Sequence, residues 1–288
     1  MNMQKKLASG EYLILAEMEP PKGVDFSSVI AHAAKVKGRV DAFVVPEMSN
    51  AVMKMSSLGG CALLQSKGLE TVMQVCCRDR NRLALQADIL AAHALGISNL
   101  MATTGVDPSY GDHHRARSVH DIDLLELLEA IQKLESGRDM AGVELNGAPA
   151  FCVGSTVNTG VSGGVLDLEI EELDKKMAAG AEFFITQPVF DLQPLSKFMK
   201  RVEGRRAKII PTVLLLKSVG MARYIDQNVD HVHIPGDLIQ RIQKAPDKAR
   251  ECVQIAGELV SAFRDSGYSG VLISTIGWED RLPSILEV

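Results

Sequence analysis

Two stretches of this sequence repeat one layout, AHALGISNL at residues 92–100 and MAAGAEFFIT at residues 177–186. In each of them a helical pattern ends at a glycine, Gly96 or Gly180, where a left-handed residue is needed to stop a helix. A continuous apolar run follows, which is typical of a parallel strand that is buried on both faces. The layout therefore predicts the helix-to-strand unit from which α/β folds are built.

The same kind of apolar run occurs eight times along the chain. The runs are YLILAE (12–17), DAFVVP (41–46), TVMQVC (71–76), ISNLMAT (97–103), AFCVGS (150–155), EFFITQ (182–187), KIIPTV (208–213) and GVLIST (270–275). Amphipathic helices are predicted between them at 26–37, 80–95, 122–135, 170–179, 195–202, 218–227 and 235–266, the last divided in two at Pro246. Alternating strands and helices predict a single (β/α)8 TIM barrel over residues 1–288, with an open doubly wound sheet as the alternative.

The composition is that of an ordinary globular protein, with 46% hydrophobic and 23% charged residues. A net charge of −5 offers nothing to attract a phosphate backbone, so we expect no nucleic-acid partner. The apolar run YLILA is too short for a signal peptide, and no run approaches the roughly 20 residues of a membrane span. Five cysteines without a CxxC pair indicate reduced thiols, and we expect a cytoplasmic protein without a membrane partner.

In a (β/α)8 barrel the chemistry takes place at the C-terminal ends of the strands. Glu17 ends the first run, and a carboxylate in the barrel mouth is partly desolvated, which raises its pKa toward the range of a general acid. A solvated carboxylate at a strand end is the alternative interpretation. Gln187 ends the sixth run, where its amide can pair with the edge of a flat heterocycle or with loop backbone.

The longest polar stretch directly after a run is TTGVDPSYGDHHRARSVHDID at residues 103–123. Its glycine-containing backbone, with Arg115 or Arg117, can hold a phosphate or pyrophosphate. Asp112, His113 and His114 stand too close together for a known zinc spacing, so we interpret them as solvated loop residues and expect no metal site. Lys217, after the seventh run, allows the Schiff-base chemistry of a barrel aldolase, but an exposed lysine is the more common case.

Several motifs along the chain, taken in order, resemble the methylenetetrahydrofolate reductase family. They are AEMEPP after the first run, the TTG turn with YGDHHRARSVHDID, the segment KKMAAGAEFFITQPVFD, the segment IIPTVLLL and the ending GVLISTIGWED. The ending is similar to the short bacterial branch of the family, which lacks a regulatory domain.

The resemblance implies a flavoenzyme that reduces 5,10-methylenetetrahydrofolate to 5-methyltetrahydrofolate, or the reverse, with the hydride passing through N5 of FAD. It implies Glu17 as the acid that protonates the folate, and Gln187 and Asp107 as folate contacts. The FAD contacts that it implies are Thr104, Gly105, His120, Asp121, Thr156, Glu169 and Lys176. The electrons would come from NAD(P)H or from an electron-delivering protein subunit, and the protein would form an oligomer with its own copies or with other chains.

Four positions depart from the family pattern. Val106 stands where the family has an aspartate beside the flavin, and Asp107 follows one residue later, so either the loop shifts by one residue or the flavin loses a carboxylate. Gln74 replaces a flavin-binding histidine, Val219 an aromatic residue near the nicotinamide, and Pro46 a threonine. A non-redox enzyme, such as a pterin methyl-transfer partner or a lysine aldolase, and a folate- or flavin-binding subunit remain the alternatives.

Overall fold

A computed structural model describes residues 2–288 and shows a closed barrel whose parallel strands follow one another in chain order. The strands are β1 (Leu13–Glu17), β2 (Ala42–Val45), β3 (Thr71–Cys76), β4 (Asn99–Thr103), β5 (Cys152–Val157), β6 (Phe183–Pro188), β7 (Lys208–Leu214) and β8 (Gly270–Ser274). β1 pairs with β8, from Leu13 with Gly270 to Ala16 with Ile273, and this pairing closes the barrel. The predicted (β/α)8 barrel is confirmed, and the open doubly wound sheet is wrong.

Eleven α-helices lie within the described residues 2–288. They are α1 (Met3–Ser9), α2 (Ser27–Lys35), α3 (Ser57–Gln65), α4 (Arg82–Ala94), α5 (Leu124–Glu135), α6 (Gly164–Ala178), α7 (Leu192–Arg201), α8 (Val219–Asn228), α9 (Gly236–Lys244), α10 (Lys248–Asp265) and α11 (Leu282–Ile285). The predicted division at Pro246 is confirmed, because α9 and α10 lie on either side of it. None of these helices combines the length and the apolarity that a bilayer crossing requires.

The helix ends follow their local sequence. Gly96 and Gly180, past the ends of α4 and α6, have φ of 83° and 98°, the left-handed conformation that the two repeated stretches predict. At the start of α5, the Asp123 carboxylate accepts from the Glu126 N–H while the Glu126 carboxylate accepts from the Asp123 N–H. This reciprocal cap satisfies two amide groups that a helix start leaves without partners.

The structure differs from the prediction in two helices and in the boundaries of α6 and β5. Two helices, α1 and α3, were not predicted; α3 contains Gly59 and Gly60, which interrupt the apolar pattern. α6 begins at Gly164 rather than at residue 170, and its first turns have no apolar stripe because Val165 and Leu168 are exposed. β5 ends at Val157 rather than at residue 155, which places Thr156 within the strand.

The buried apolar residues form two clusters, one inside the barrel and one between the barrel and its helices. The inner cluster includes Leu13 and Leu15, which alternate on β1, and it also takes in Met3 and Leu7 of α1. The Met3 N–H donates to Glu70 Oε1 at 2.8 Å, at the start of β3. α1 therefore closes the N-terminal end of the barrel and leaves the C-terminal end open.

Candidate active site

A cavity of about 550 Å³ opens at the C-terminal ends of the strands. This volume lies within the roughly 300–1,000 Å³ of typical ligand pockets. The lining combines apolar side chains with a small number of polar groups that β1, β3, β5, β6 and β8 supply: Glu17, Gln74, Thr156, Gln187 and Ser274. A mostly apolar pocket with a few convergent polar groups suits a flat heterocyclic ligand.

Glu17 is the acid of this cavity. Its side chain is half-buried at the end of β1, and the Ser274 hydroxyl donates to Glu17 Oε1 at 2.8 Å. The pKa of Glu17 is raised to about 7, chiefly by burial; the Ser274 hydrogen bond and Lys54 oppose the rise, and the carboxylates of Glu19 and Glu279 contribute to it. Glu17 is therefore partly protonated near neutral pH, as a general acid must be.

Thr156 and Gln187 face the same cavity from β5 and β6, and both side chains are exposed to it. Within residues 2–288, the Gln187 amide and the Thr156 hydroxyl make no hydrogen bond to another protein group. Both groups are therefore available to a ligand. The structure brings these two predicted residues together with Glu17.

Glu169 and Lys176 lie behind β5 rather than in the cavity. The buried Lys176 Nζ donates to the Thr156 carbonyl at 3.0 Å, and Glu169 Oε1 accepts from the Asn158 N–H at 3.0 Å. The two residues are seven positions apart on α6 and so share one helix face. In this structure they hold the end of β5, and with it the position of Thr156.

Replacing Lys176 with methionine removes this support. We expect Lys176→Met to lower the free energy of unfolding by about 1.5–3 kcal/mol, since a hydrogen bond from a charged donor on a buried side chain is lost. Lys175→Met on the same helix is the matched control, because Lys175 is exposed and pairs only with Glu172, and it should cost less than about 1 kcal/mol. Urea unfolding measures both variants, and equal losses would contradict this role.

The remaining predicted residues lie in the loop after β4. The Asp107 carboxylate accepts from the Ser109 N–H at 2.8 Å and begins a 3₁₀ turn, and Asp121 accepts from Arg82 Nε at 2.8 Å. His120 is exposed and has a positive φ of 40°. Asp107, His120 and Asp121 do not line the cavity as the structure stands. The Asp107 carboxylate is thus turned toward its own loop.

Thr104 and Gly105 begin this loop beside β3. Gly105 has φ of 89°, and a Cβ there would overlap Cys76 Sγ and lie 2.9 Å from Arg78 Cβ. The buried Arg78 donates to the Val106 carbonyl at 3.1 Å, which fixes the loop further. Residues 104–107 are exposed, and none of their backbone N–H groups donates to a protein acceptor in residues 2–288, so these amides are available to an anion.

Asp112 connects the loops that follow β1, β2 and β4, contacts that the sequence did not reveal. Its carboxylate pairs with Lys22 after β1 and accepts from the Met53 N–H after β2 at 3.0 Å. Lys22, then His113 and the Met53 amide, hold the pKa of Asp112 well below its usual range. Asp112, His113 and His114 are all exposed, as expected of solvated loop residues, and Asp112 in addition makes these specific contacts. Among residues 2–288 no acidic, histidine and cysteine side chains cluster as metal ligands would.

Gln74 was expected only as a departure from the family histidine, and the structure shows how it is held. The Glu47 N–H donates to Gln74 Oε1 at 3.1 Å. Because a backbone N–H only donates, this contact fixes which amide atom is oxygen, and Gln74 Nε2 points toward Met101 Sδ, 3.9 Å away. The buried Glu47 is itself held by the Ser57 N–H at 2.8 Å and by Arg80 at 3.1 Å. Gln74 thus presents a donor at the cavity wall.

Lys217 is not placed as an aldolase lysine would be. Its Nζ donates to the Ile276 carbonyl and lies 5.3 Å from the centre of the Trp278 ring. Lys217 is absent from the cavity lining, while Ile276 is part of it. The amine therefore contacts protein groups at the rim rather than the space where a carbonyl substrate would bind.

The donor set of this mouth fits a flavin. The apolar side chains of Met101, Ile185 and Leu272 offer walls to a flat ring, and the amide groups of Gln74 and Gln187 suit its polar edges. The four free amides after β4, close in sequence to exposed Arg115 and Arg117, suit the negative charge of a pyrophosphate.

Comparisons with known proteins agree with this architecture. The chain is similar to EDTA monooxygenase (EmoA) from Chelativorans sp. BNC1, with 11% identity over 96% of this chain and 92% of that one and a TM-score of 0.55. It is also similar to DmoA from Hyphomicrobium sulfonivorans (9% identity, 96% and 86% covered, TM-score 0.54) and to a 2,3-dimethylmalate lyase (8%, 99% and 82%, 0.55). At such identities these likenesses show the fold alone.

The sequence itself carries a more specific signal. The model of the family described as methylenetetrahydrofolate reductase matches residues 2–288. That match covers every strand end that supplies a polar group to the cavity, from Glu17 on β1 to Ser274 on β8. The chain belongs to the methylenetetrahydrofolate reductase family.

Proposed function

We propose that this protein is an FAD-dependent oxidoreductase that interconverts 5,10-methylenetetrahydrofolate and 5-methyltetrahydrofolate. The observation that carries the proposal is Glu17, an acid with a pKa of about 7 at the edge of a mostly apolar cavity, whose other carboxylate, Glu19, is paired with Lys54. Family membership supports folate chemistry and an oxidoreductase. The specific reaction and its cofactor are inferred from the arrangement of the residues.

Glu17 supplies the proton that opening of the folate imidazolidine ring requires. Since the Ser274 hydroxyl donates to Oε1, that oxygen is occupied as an acceptor and the transferable proton is held on Oε2. A ring nitrogen of the substrate within hydrogen-bond reach of Oε2 receives this proton. In the reverse direction the same carboxylate, deprotonated, takes the proton back.

Two amides orient the flat ligands. Gln74 presents the donor end of its amide, because its oxygen is turned toward the Glu47 N–H. Gln187 is free to donate and to accept, which matches the alternating donors and acceptors of a pterin edge. Thr156 adds a hydroxyl between them, and Lys176 and Glu169 fix that strand end from behind.

FAD, when bound, supplies the hydride that the folate accepts. The amides of residues 104–107 would hold its pyrophosphate, and Gly105 allows the left-handed turn and the close approach to β3 that this loop adopts. Val106 and Asp107 place no carboxylate in the cavity lining, which favours the reduced, more negative state of the ring. Electrons would reach this site from NAD(P)H or from a protein subunit.

Binding of FAD can be tested without turnover. We expect FAD at a hundredfold excess over its Kd to stabilise the protein by about 2.7 kcal/mol, seen as a higher midpoint of thermal unfolding. Riboflavin should stabilise it less, because it lacks the pyrophosphate that the loop amides would receive. If heat-released supernatant contains no flavin and added FAD leaves the midpoint unchanged, the cofactor assignment is wrong.

A further inference from the structure

Ile276 is the strained residue of the cavity wall. It follows β8 with φ of 44°, a left-handed conformation that a β-branched residue rarely adopts. It lines the same cavity as Glu17 and Ser274, and 39% of its surface is exposed. Strain of this kind persists only where the surrounding structure enforces it.

Three contacts enforce the strain. Lys217 Nζ donates to the Ile276 carbonyl, and the same ammonium group lies 5.3 Å from the centre of the half-buried Trp278 ring. The Gly277 N–H donates to Glu279 Oε1 at 2.8 Å. Since Lys217 follows β7, this group of residues, which we call the β8 clamp (Lys217, Ile276, Trp278), ties the ends of two neighbouring strands together.

We propose that Lys217 is a positioning residue: by holding the Ile276 carbonyl it keeps the Ile276 side chain over the cavity mouth and keeps water away from the Glu17 carboxyl. Its importance for folate chemistry rests on the proposed function, whereas its effect on Glu17 does not. The ammonium group acts through Ile276 and does not touch the substrate.

The groups around Glu17 determine whether opening the clamp raises or lowers the pKa of Glu17. The Ser274 hydroxyl donates to Glu17, Glu19 is paired with Lys54 at 2.6 Å, and Glu279 is held by the Gly277 N–H. Burial is the largest cause of the raised pKa of Glu17, and the charges of Glu19 and Glu279 add to it. Opening the clamp admits water and releases Glu279, and both changes lower that pKa.

Loss of charge alone would act in the opposite direction. If Lys217 influenced Glu17 only as a nearby cation, its removal would destabilise the Glu17 carboxylate and raise the pKa. A lower pKa of Glu17 after removal of Lys217 therefore indicates that the β8 clamp shields Glu17 from water. A higher pKa indicates that Lys217 acts only through its charge.

The test is a pH titration of Glu17 in the folate-free protein by carbon NMR of labelled glutamate carboxyls, with Glu17→Gln assigning the signal. Lys217→Met should lower the pKa of Glu17 by about one unit, a tenfold change in its acid dissociation constant. Lys217→Arg keeps a cationic donor and should retain the wild-type value. Lys197→Met, at an exposed lysine of α7, is the matched control and should change nothing.

A second variant keeps the test decisive if Lys217→Met does not fold. Ile276→Gly removes the side chain from the cavity and relieves the strain at φ of 44°, so it should also lower the pKa of Glu17 without loss of stability. An unchanged or raised pKa in Ile276→Gly, or in a folded Lys217→Met, would overturn the inference. Because no folate is present, a lowered pKa in a protein without folate turnover would count against the proposed function only.

Discussion

Replacing Glu17 with glutamine is expected to slow folate turnover by about 10²–10⁴-fold while FAD stays bound, since general acid catalysis is worth that much. Glutamine keeps the shape of the side chain and can still accept from Ser274, but it has no transferable proton. Reduction of the flavin itself needs no proton from Glu17 and should persist. Single-turnover oxidation of the reduced enzyme by 5,10-methylenetetrahydrofolate measures the loss.

The pH dependence has a defined sign. Burial raises the pKa of Glu17 to about 7. The protonated Glu17 that folate reduction requires is therefore present below that pH and is lost as the pH rises through it. The wild-type rate of folate reduction should therefore fall above neutral pH, and oxidation of 5-methyltetrahydrofolate should show the opposite trend. Glu17→Gln should remove this dependence in both directions.

Glu19→Gln is the matched control for Glu17→Gln. Glu19 lines the same cavity, but its carboxylate is already paired with Lys54 at 2.6 Å. Its removal should lower the folate rate by less than the 10²-fold lower bound expected at Glu17. A Glu17→Gln protein with wild-type flavin content and a wild-type single-turnover rate would show that Glu17 is only a structural residue.

The second large effect is expected at Gly105. An alanine there would pay about 1–2 kcal/mol for the left-handed φ of 89° and about 1–3 kcal/mol for overlap with Cys76 Sγ and Arg78 Cβ. The loop would have to move away from β3, and its four exposed amides would lose their arrangement. We expect Gly105→Ala to lose stability on this scale and to weaken FAD binding more than tenfold, measured by flavin fluorescence titration.

The contact with Cys76 provides the control for this prediction. Cys76→Ala alone should bind FAD normally, because the thiol only donates to the Thr104 carbonyl at 3.3 Å. Combined with Gly105→Ala, it removes the overlap with Cys76 Sγ but neither the close approach to Arg78 Cβ nor the strained φ, so it should restore part of the affinity. If Gly105→Ala binds FAD as the wild type does, the loop after β4 does not hold the cofactor.

The barrel could be predicted because its strands are buried on both faces and so appear as continuous apolar runs. All four residues of β2 and all five of β8 are buried. Their sequences therefore lack the alternation of apolar and polar residues that a strand with one exposed face shows. The helices α1 and α3 could not be predicted in this way. α1 is only seven residues long, and α3 has adjacent glycines.

The site could be predicted where topology alone decides it. Parallel strands place their C-terminal ends at one mouth, so Glu17, Thr156 and Gln187 meet there whatever the loops do. The partners of Asp112 and Lys217 could not be predicted, because each depends on a contact with a distant segment. Lys22 and Asp112 are 90 positions apart, and Lys217 and Ile276 are 59 apart.

Lys176 shows that a sequence pattern does not predict which group a side chain contacts. The resemblance to the family assigns this lysine to the cofactor, while the structure shows its ammonium group buried against the Thr156 carbonyl. A sequence pattern identifies which residue type stands at a helix position, but not which of two nearby acceptors it contacts. The Lys176→Met and Lys175→Met pair addresses the structural contact directly.

We propose that this chain exchanges a hydride between FAD and a folate at the mouth of the barrel that contains Glu17. The most direct measurement is the visible spectrum of the FAD-loaded protein before and after anaerobic addition of 5-methyltetrahydrofolate. We predict that the oxidised flavin band near about 450 nm bleaches, and that later addition of 5,10-methylenetetrahydrofolate restores it. A flavin spectrum that stays unchanged with the folate in excess would contradict the claim.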